Sequence, residues 1–173
     1  IFQQRLASVL NKRQDEALGF FERLGARWDE LRSGAFGEAF ATEAFLALLP
    51  ADWVVADLGA GTGFLLPALA RRFRRVIAVE PAPAMLECAR CRLAGRGTRN
   101  VAFRQGDLSS LPIRNQACHL VVACLVLHHV PEPGAALAEM YRVLRPRGRL
   151  LIVEQQAHDH QTFHEMRQDR WRG

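Results

Sequence analysis

The chain has 173 residues, 49% of them hydrophobic, and a formal charge of +5. That length and apolar content suffice for one domain with a packed core and exclude a disordered or low-complexity polymer. No apolar run approaches the roughly 18 residues needed to span a bilayer, and the first residues lack the charged-then-apolar pattern of a secretory signal, so a soluble, cytoplasmic protein is expected. The chain starts at Ile1 rather than Met, which points to a fragment or a processed product.

The positive charge is almost wholly arginine, Lys12 being the only lysine. This reads as compositional bias more than as a dedicated polyanion surface. The densest run, Arg71-Arg72-Phe73-Arg74-Arg75, can in principle meet phosphates, but a solvated helix end is the expected role. Of the four cysteines, Cys88 and Cys91 form a CxxC pair inside an expected helix, without the two further ligands a tetrahedral zinc would need. Cys118 and Cys124 flank an apolar strand, where cysteine serves as a small buried hydrophobe. Neither a disulfide nor a metal site is expected.

In chain order, residues 2–31 read as helical, with Leu6, Val9 and Leu10 on one stripe and Leu18, Phe21, Leu24 and Trp28 on another. Ser33-Gly34 should break that helix, and residues 38–49 should resume one that stops before Pro50. Strands and helices then alternate. The expected strands are 54–58, 75–80, 101–105, 120–127 and 149–154, and the expected helices are 64–72, 83–93 and 133–144. Such alternation implies an α/β, Rossmann-like, mostly parallel sheet with helices on both faces and ligands beyond the carboxyl ends of its strands. An N-terminal helical arm (1–42) would precede the main domain (43–157). A polar helical segment (158–173) would follow, cut off before the C-terminal strands a closed domain of this kind would have. Within that segment His158, His160 and His164 lack the His-Glu-x-x-His order of a metal helix and read as solvated.

The chemistry is expected at Asp57-Leu58-Gly59-Ala60-Gly61-Thr62-Gly63, which leaves a strand and opens a helix. Glycines at alternate positions let the backbone turn sharply and approach a ligand closely. A dinucleotide fingerprint needs glycine at the first, third and sixth positions, and here the sixth is Phe64 or Leu66; a P-loop needs a Gly-Lys-Ser/Thr that is absent. Glu80, 17 residues after Gly63, ends the second strand and can accept bonds from both hydroxyls of a ribose. Asp57 can influence a cationic ligand directly or by ordering the loop. Asp107, in Gly106-Asp107-Leu108, can take an adenine amino group, with Leu108 against the ring. Each acid alone is weak; three at successive strand ends are a strong signal.

These residues, from Val54 through Gly63 with Glu80 and Gly106-Asp107-Leu108, together with Leu144-Arg145-Pro146-Arg147-Gly148-Arg149-Leu150, resemble the class I S-adenosylmethionine-dependent methyltransferases. Leu127-His128-His129-Val130-Pro131-Glu132-Pro133 looks like the branch containing the ubiquinone/menaquinone methyltransferases. The likeness covers roughly residues 20–155. Arg147 departs from it, standing where the family often has glycine, a change that should be tolerable in a turn. The resemblance implies S-adenosylmethionine as cofactor, held by Asp57, Gly59, Ala60, Gly61, Gly63, Glu80, Pro81, Met85, Asp107, Leu108 and Cys124, the last through its backbone. Residues 20–29 look like the aromatic arm that such enzymes fold over the cofactor, making Trp28 and Phe21 candidates to cover it; packing between helices accounts for both equally well. The arm and the polar end also resemble bacterial proteins in which an arsenic-repressor-type winged helix precedes the methyltransferase domain.

Transfer from a sulfonium is an in-line displacement that depends on positioning and exclusion of water, and a base is needed only where the acceptor must lose a proton. His129, and after it His128, are the candidates, since histidine titrates near neutral pH; a structural role is an equal reading for both. The expected function is methyl transfer to a small-molecule acceptor, quinone-like or otherwise hydrophobic. An arsenite acceptor is disfavoured because the cysteines form no converging thiolate set. The alternatives are a cofactor-sensing module of a transcriptional regulator, touching DNA only through an upstream domain, and a fold that binds the cofactor without turning it over.

Overall fold

The computed structural model describes residues 16, 18–20, 22–37 and 39–155. The chain divides into two compact units, 1–44 and 45–173. No helix among the described residues is long and apolar enough to cross a membrane.

In the first unit a 3-10 turn at Gly25–Arg27 leads into helix α1, Trp28–Phe36. Ser33 and Gly34 do not break this helix, contrary to expectation: one glycine in a helix interior costs only about 1 kcal/mol. The helix ends at Gly37 instead, whose amide bonds to the Ser33 carbonyl at 2.8 Å. Helix α2, Phe40–Leu46, is shorter than the predicted 38–49.

The second unit is a five-stranded parallel sheet in the order β3-β2-β1-β4-β5. Its elements are β1 (Val54–Leu58), α3 (Leu66–Arg72), β2 (Arg75–Glu80), α4 (Pro83–Leu93), β3 (Val101–Gln105), β4 (Cys118–Cys124), α5 (Pro133–Val143) and β5 (Leu144–Val153). The central strands β1, β2 and β4 are apolar and buried on both faces, as parallel strands covered by crossover helices must be. Their side chains alternate between two cores. Ala56, Leu58, Ile77, Val79 and Val121 meet Ala136, Met140 and Val143 of α5, while Val55, Val76, Leu120 and Val122 meet Leu66 and Leu69 of α3 and Ala89 of α4. Strand order reverses between β1 and β4, which opens a crevice at the carboxyl ends of those two strands.

Two strand limits differ from the sequence expectation. β4 stops at Cys124, and residues 127–129 form a 3-10 turn, because Leu125 takes a left-handed conformation, φ +52°. β5 begins at Leu144 through an irregularity opposite Cys118–Leu120. Arg147 lies in that stretch at φ +64°. For a residue with a Cβ the left-handed region costs roughly 1–2 kcal/mol, which explains why a glycine suits the position.

Candidate functional site

The register aligns Asp57 with Ala78 and Leu58 with Val79, so the glycine loop leaves β1 level with the end of β2. The amides of Gly59 and Ala60 both donate to the Val79 carbonyl, at 2.9 and 3.0 Å, and the Gly63 amide returns to Ala60 at 2.8 Å. All three glycines of the loop have left-handed backbone, Gly63 at φ +77° included. A Cβ at Gly59, φ +66°, would lie 2.2 Å from a methyl carbon of Val126; one at Gly61, φ +54°, would project into open space above the loop. A side chain at 61 would occupy that space. Arg92 of α4 anchors the loop by donating from Nε to the Thr62 carbonyl at 2.8 Å.

Three acids stand around this loop. The Glu80 carboxylate accepts from the Gly61 amide (Oε2, 2.9 Å) and from the Ala82 amide (Oε1, 3.0 Å), tying loop and strand end together. Each oxygen retains a second lone pair for a hydroxyl donor. Asp107 is exposed, and its Oδ1 accepts from the amide and hydroxyl of Ser109 at 2.8 and 2.6 Å, which holds its carboxyl below the usual range. Asp57 is the outlier. It is only 3% exposed, no hydrogen-bond donor among the described residues reaches it, and burial, reinforced by the Glu80 charge, pushes its pKa up to about 7. A buried carboxyl without a donor is costly unless a cation or donor completes it. Ribose hydroxyls on an adenosyl group, and an ammonium and a sulfonium on a methionine portion, supply both, so the residues present fit S-adenosylmethionine.

The remaining expected positions divide. Ala60 is buried in the loop, Pro81 is exposed just past β2, and Met85, 46% exposed, sits in the first turn of α4. Leu108 is buried, its side chain taken up by the core with Ile77 and Val79. Trp28 opens α1, and its side chain lies outside the described residues, as do Phe21 and the histidines at 158, 160 and 164.

On the other side of the crevice the two histidines have different surroundings. His128 is buried and His129 exposed, with their rings 4.0 Å apart. His128 Nδ1 lies 2.6 Å from Glu154 Oε1, while Glu154 Oε2 accepts from the Leu127 amide at 3.0 Å and Oε1 from the Gln155 amide at 2.9 Å. Burial alone would raise the Glu154 pKa, but the Gln155 amide, His128 and the Leu127 amide together hold it below the usual value. The Cys124 thiol is pushed up, first by burial and then by the charges of Asp57 and Glu154, so these three groups share one neighbourhood. Glu154 was not foreseen as a site residue. The signal was present: like Glu80 and Asp107 it is an acid at the carboxyl end of a parallel strand.

Comparison with known proteins agrees with this geometry. Residues 56–152 match the family model described as a methyltransferase domain. An arsenite methyltransferase of Halobacterium salinarum is 34% identical over 141 residues, covering 77% of this chain and 36% of that protein. A demethylmenaquinone methyltransferase of Clavibacter sepedonicus is 32% identical over 149 residues, covering 84% and 60% respectively. The chain thus spans between about a third and three fifths of these relatives' length. An S-adenosylmethionine-dependent methyltransferase of Aquifex aeolicus shares the fold at a TM-score of 0.63 and 22% identity, over 75% of this chain and 70% of that one. The chain belongs to the S-adenosylmethionine-dependent methyltransferase family, and S-adenosylmethionine is its cofactor.

Proposed function

We propose that the protein transfers a methyl group to a small hydrophobic acceptor, quinone-like in chemistry, bound over the carboxyl ends of β4 and β5. The observation that carries the reading is the buried, donor-less carboxyl of Asp57 beside the open space above Gly61. In this reading Glu80 holds the ribose hydroxyls, Asp107 the adenine amino group, and Asp57 the ammonium of the methionine portion, with Gly59, Ala60, Gly61, Gly63, Pro81, Met85 and the backbone of Leu108 and Cys124 lining the same site; the Leu108 side chain, expected against the adenine ring, is instead in the core. When bound, the cofactor supplies a methyl group on a sulfonium, already activated for in-line displacement.

The chain's own part is then to orient the acceptor, exclude water and, for a hydroxyl acceptor, take its proton. His129 is the exposed imidazole on that side and the candidate base; His128 is held by Glu154 and positions the turn. Exposed Leu125, at the tip of β4, offers an apolar contact beside them. An arsenite acceptor is disfavoured by the cysteine positions. Cys88 and Cys91 lie on the surface of α4, while Cys118 and Cys124 occupy opposite ends of β4, roughly 20 Å apart at strand rise.

Two measurements test the reading. Calorimetry should show saturable binding of S-adenosylmethionine, and failure of the folded protein to bind would overturn the site. Incubation with reduced 1,4-naphthoquinone should release S-adenosylhomocysteine, while tight cofactor binding without turnover on a panel of hydroxylated aromatics would overturn the acceptor class alone.

A further inference from the structure

The end of the sheet opposite the glycine loop has a construction of its own. Parallel strands bring their amino ends together, and here the segments entering β2, β3 and β4 each deliver arginine to the same place. Arg74 precedes the second strand and Arg75 begins it, Arg99 precedes the third, and Arg114 approaches the fourth; Arg104 stands near the carboxyl end of the third strand and lines the same cavity as Arg75 and Arg114. Two adjoining cavities, of about 350 and 560 Å³, share Val54, Arg75 and Arg114 in their walls. Arg104 completes the wall of the first, Arg74 and Arg99 that of the second. No carboxylate lines either cavity, and none of Arg74, Arg75, Arg99 and Arg114 forms an ion pair with another described residue.

Solvation alone accounts for scattered arginines on an arginine-rich chain. It does not account for the bracing of the backbone that carries these. The Asn100 amide donates to the Ala70 and Phe73 carbonyls at 2.8 and 2.7 Å, locking the Arg99 segment to the one that carries Arg74 and Arg75. The Arg74 amide bonds to Ala51 at 2.7 Å and the Val76 amide to Asn100 at 2.9 Å. Arg104 donates to the Pro112 carbonyl and so ties down the loop that presents Arg114. Below the guanidiniums the first cavity has an apolar floor of Val54, Ile77, Ile113 and Ala117. Fixed backbone under guanidiniums that carry no ion pair is how a site is prepared for phosphate, because less ordering remains to be done on binding and each guanidinium offers a planar fork of donors.

We propose that this trench is a second ligand site, separate from the cofactor crevice, which takes a phosphate ester. Its phosphates would lie among Arg74, Arg75, Arg99, Arg104 and Arg114, and its organic portion on the apolar floor. The proposal does not depend on the identity of the methyl acceptor.

The test is calorimetry at low ionic strength with pyrophosphate and with ADP, on wild type and on Arg75→Gln/Arg114→Gln. Pyrophosphate should bind the wild type saturably, ADP should bind several-fold more tightly, and the double variant should lose about tenfold or more for both. S-adenosylmethionine affinity should stay within about twofold, which also shows that the variant is folded. Should the double variant not fold, Arg99→Gln carries the same expectation with a smaller loss. Absence of saturable pyrophosphate and ADP binding by the wild type, or equal binding by a folded variant, overturns the site. ADP binding no more tightly than pyrophosphate overturns the role of the apolar floor. A single-stranded RNA that binds where both small ligands fail overturns it in favour of a polymer surface.

Discussion

The two ends of the sheet are made from the same strands and treat charge in opposite ways. At the carboxyl ends, Asp57, Glu80, Asp107 and Glu154 stand around a crevice; Glu80 and Glu154 accept bonds that tie one segment to another, and Asp107 accepts from Ser109 within its own loop. At the amino ends Arg74, Arg75, Arg99 and Arg114 form no ion pair with another described residue and stand over braced backbone, while Arg104 is spent on the Pro112 carbonyl. The carboxyl end therefore uses its charges to hold its own shape and leaves one of them, Asp57, as the deficit for a ligand to meet. The amino end is shaped by backbone and amide bonds and leaves its charges outward. A charge built into the architecture cannot be removed without moving the loop, whereas an outward one can.

That contrast sets the expected order of effects. Glu80→Ala should be the most severe, since it removes the acceptor for the Gly61 and Ala82 amides together with the ribose contact. Calorimetry should show at least a hundredfold loss of S-adenosylmethionine affinity, on the order of 3 kcal/mol or more; a loss below tenfold would break the assignment of this end as the cofactor site.

Asp57→Asn should weaken cofactor binding about tenfold or more, in the range of a charge-assisted contact, and yet stabilise the free protein at high pH. The sign follows from the raised pKa. The folded state holds a proton that the unfolded chain releases near pH 4, so wild-type stability falls as pH rises from about 4 through about 7. Thermal unfolding of the cofactor-free protein between pH 5 and 8 should show this fall in the wild type and a flatter profile in the variant. Identical profiles would remove Asp57 as the deficit.

Glu154→Gln should lower stability by about 1–3 kcal/mol by loosening the 127–129 turn, while changing cofactor affinity far less than Glu80→Ala; denaturant unfolding paired with calorimetry separates the two. The smallest effect belongs to the other end. Arg147→Gly should raise stability by about 1 kcal/mol, because it relieves the left-handed backbone, and it should leave cofactor binding unchanged.

Much of this could be read from the residues. The limits of β1, β2, β3 and α4 match the expectation because apolar runs bounded by glycine, proline or charge mark buried strands and their helices directly. The loop and its acids were legible for the same reason: strand ends are where such a sheet gathers ligands. What failed was backbone handedness. Leu125, Val126 and Leu127 read as three more residues of an apolar strand, yet Leu125 turns left-handed while its amide bonds to the Val153 carbonyl at 2.8 Å, a partner 28 residues away. Hydropathy reports burial and carries no record of φ. The Glu154–His128 contact escaped because it joins two elements whose proximity exists only once β5 lies beside β4.

The turn after Leu125 sets Val126 so close to Gly59 that a single added carbon there would overlap its methyl. Positions 59 and 126 are therefore not free to drift independently over evolutionary time. A lineage acquiring alanine at 59 needs a smaller residue at 126 and still bears the strain of a left-handed backbone at φ +66°. Because residue 126 also sits between Leu125 and the two histidines, diversification on the acceptor side is constrained by the side that holds the donor.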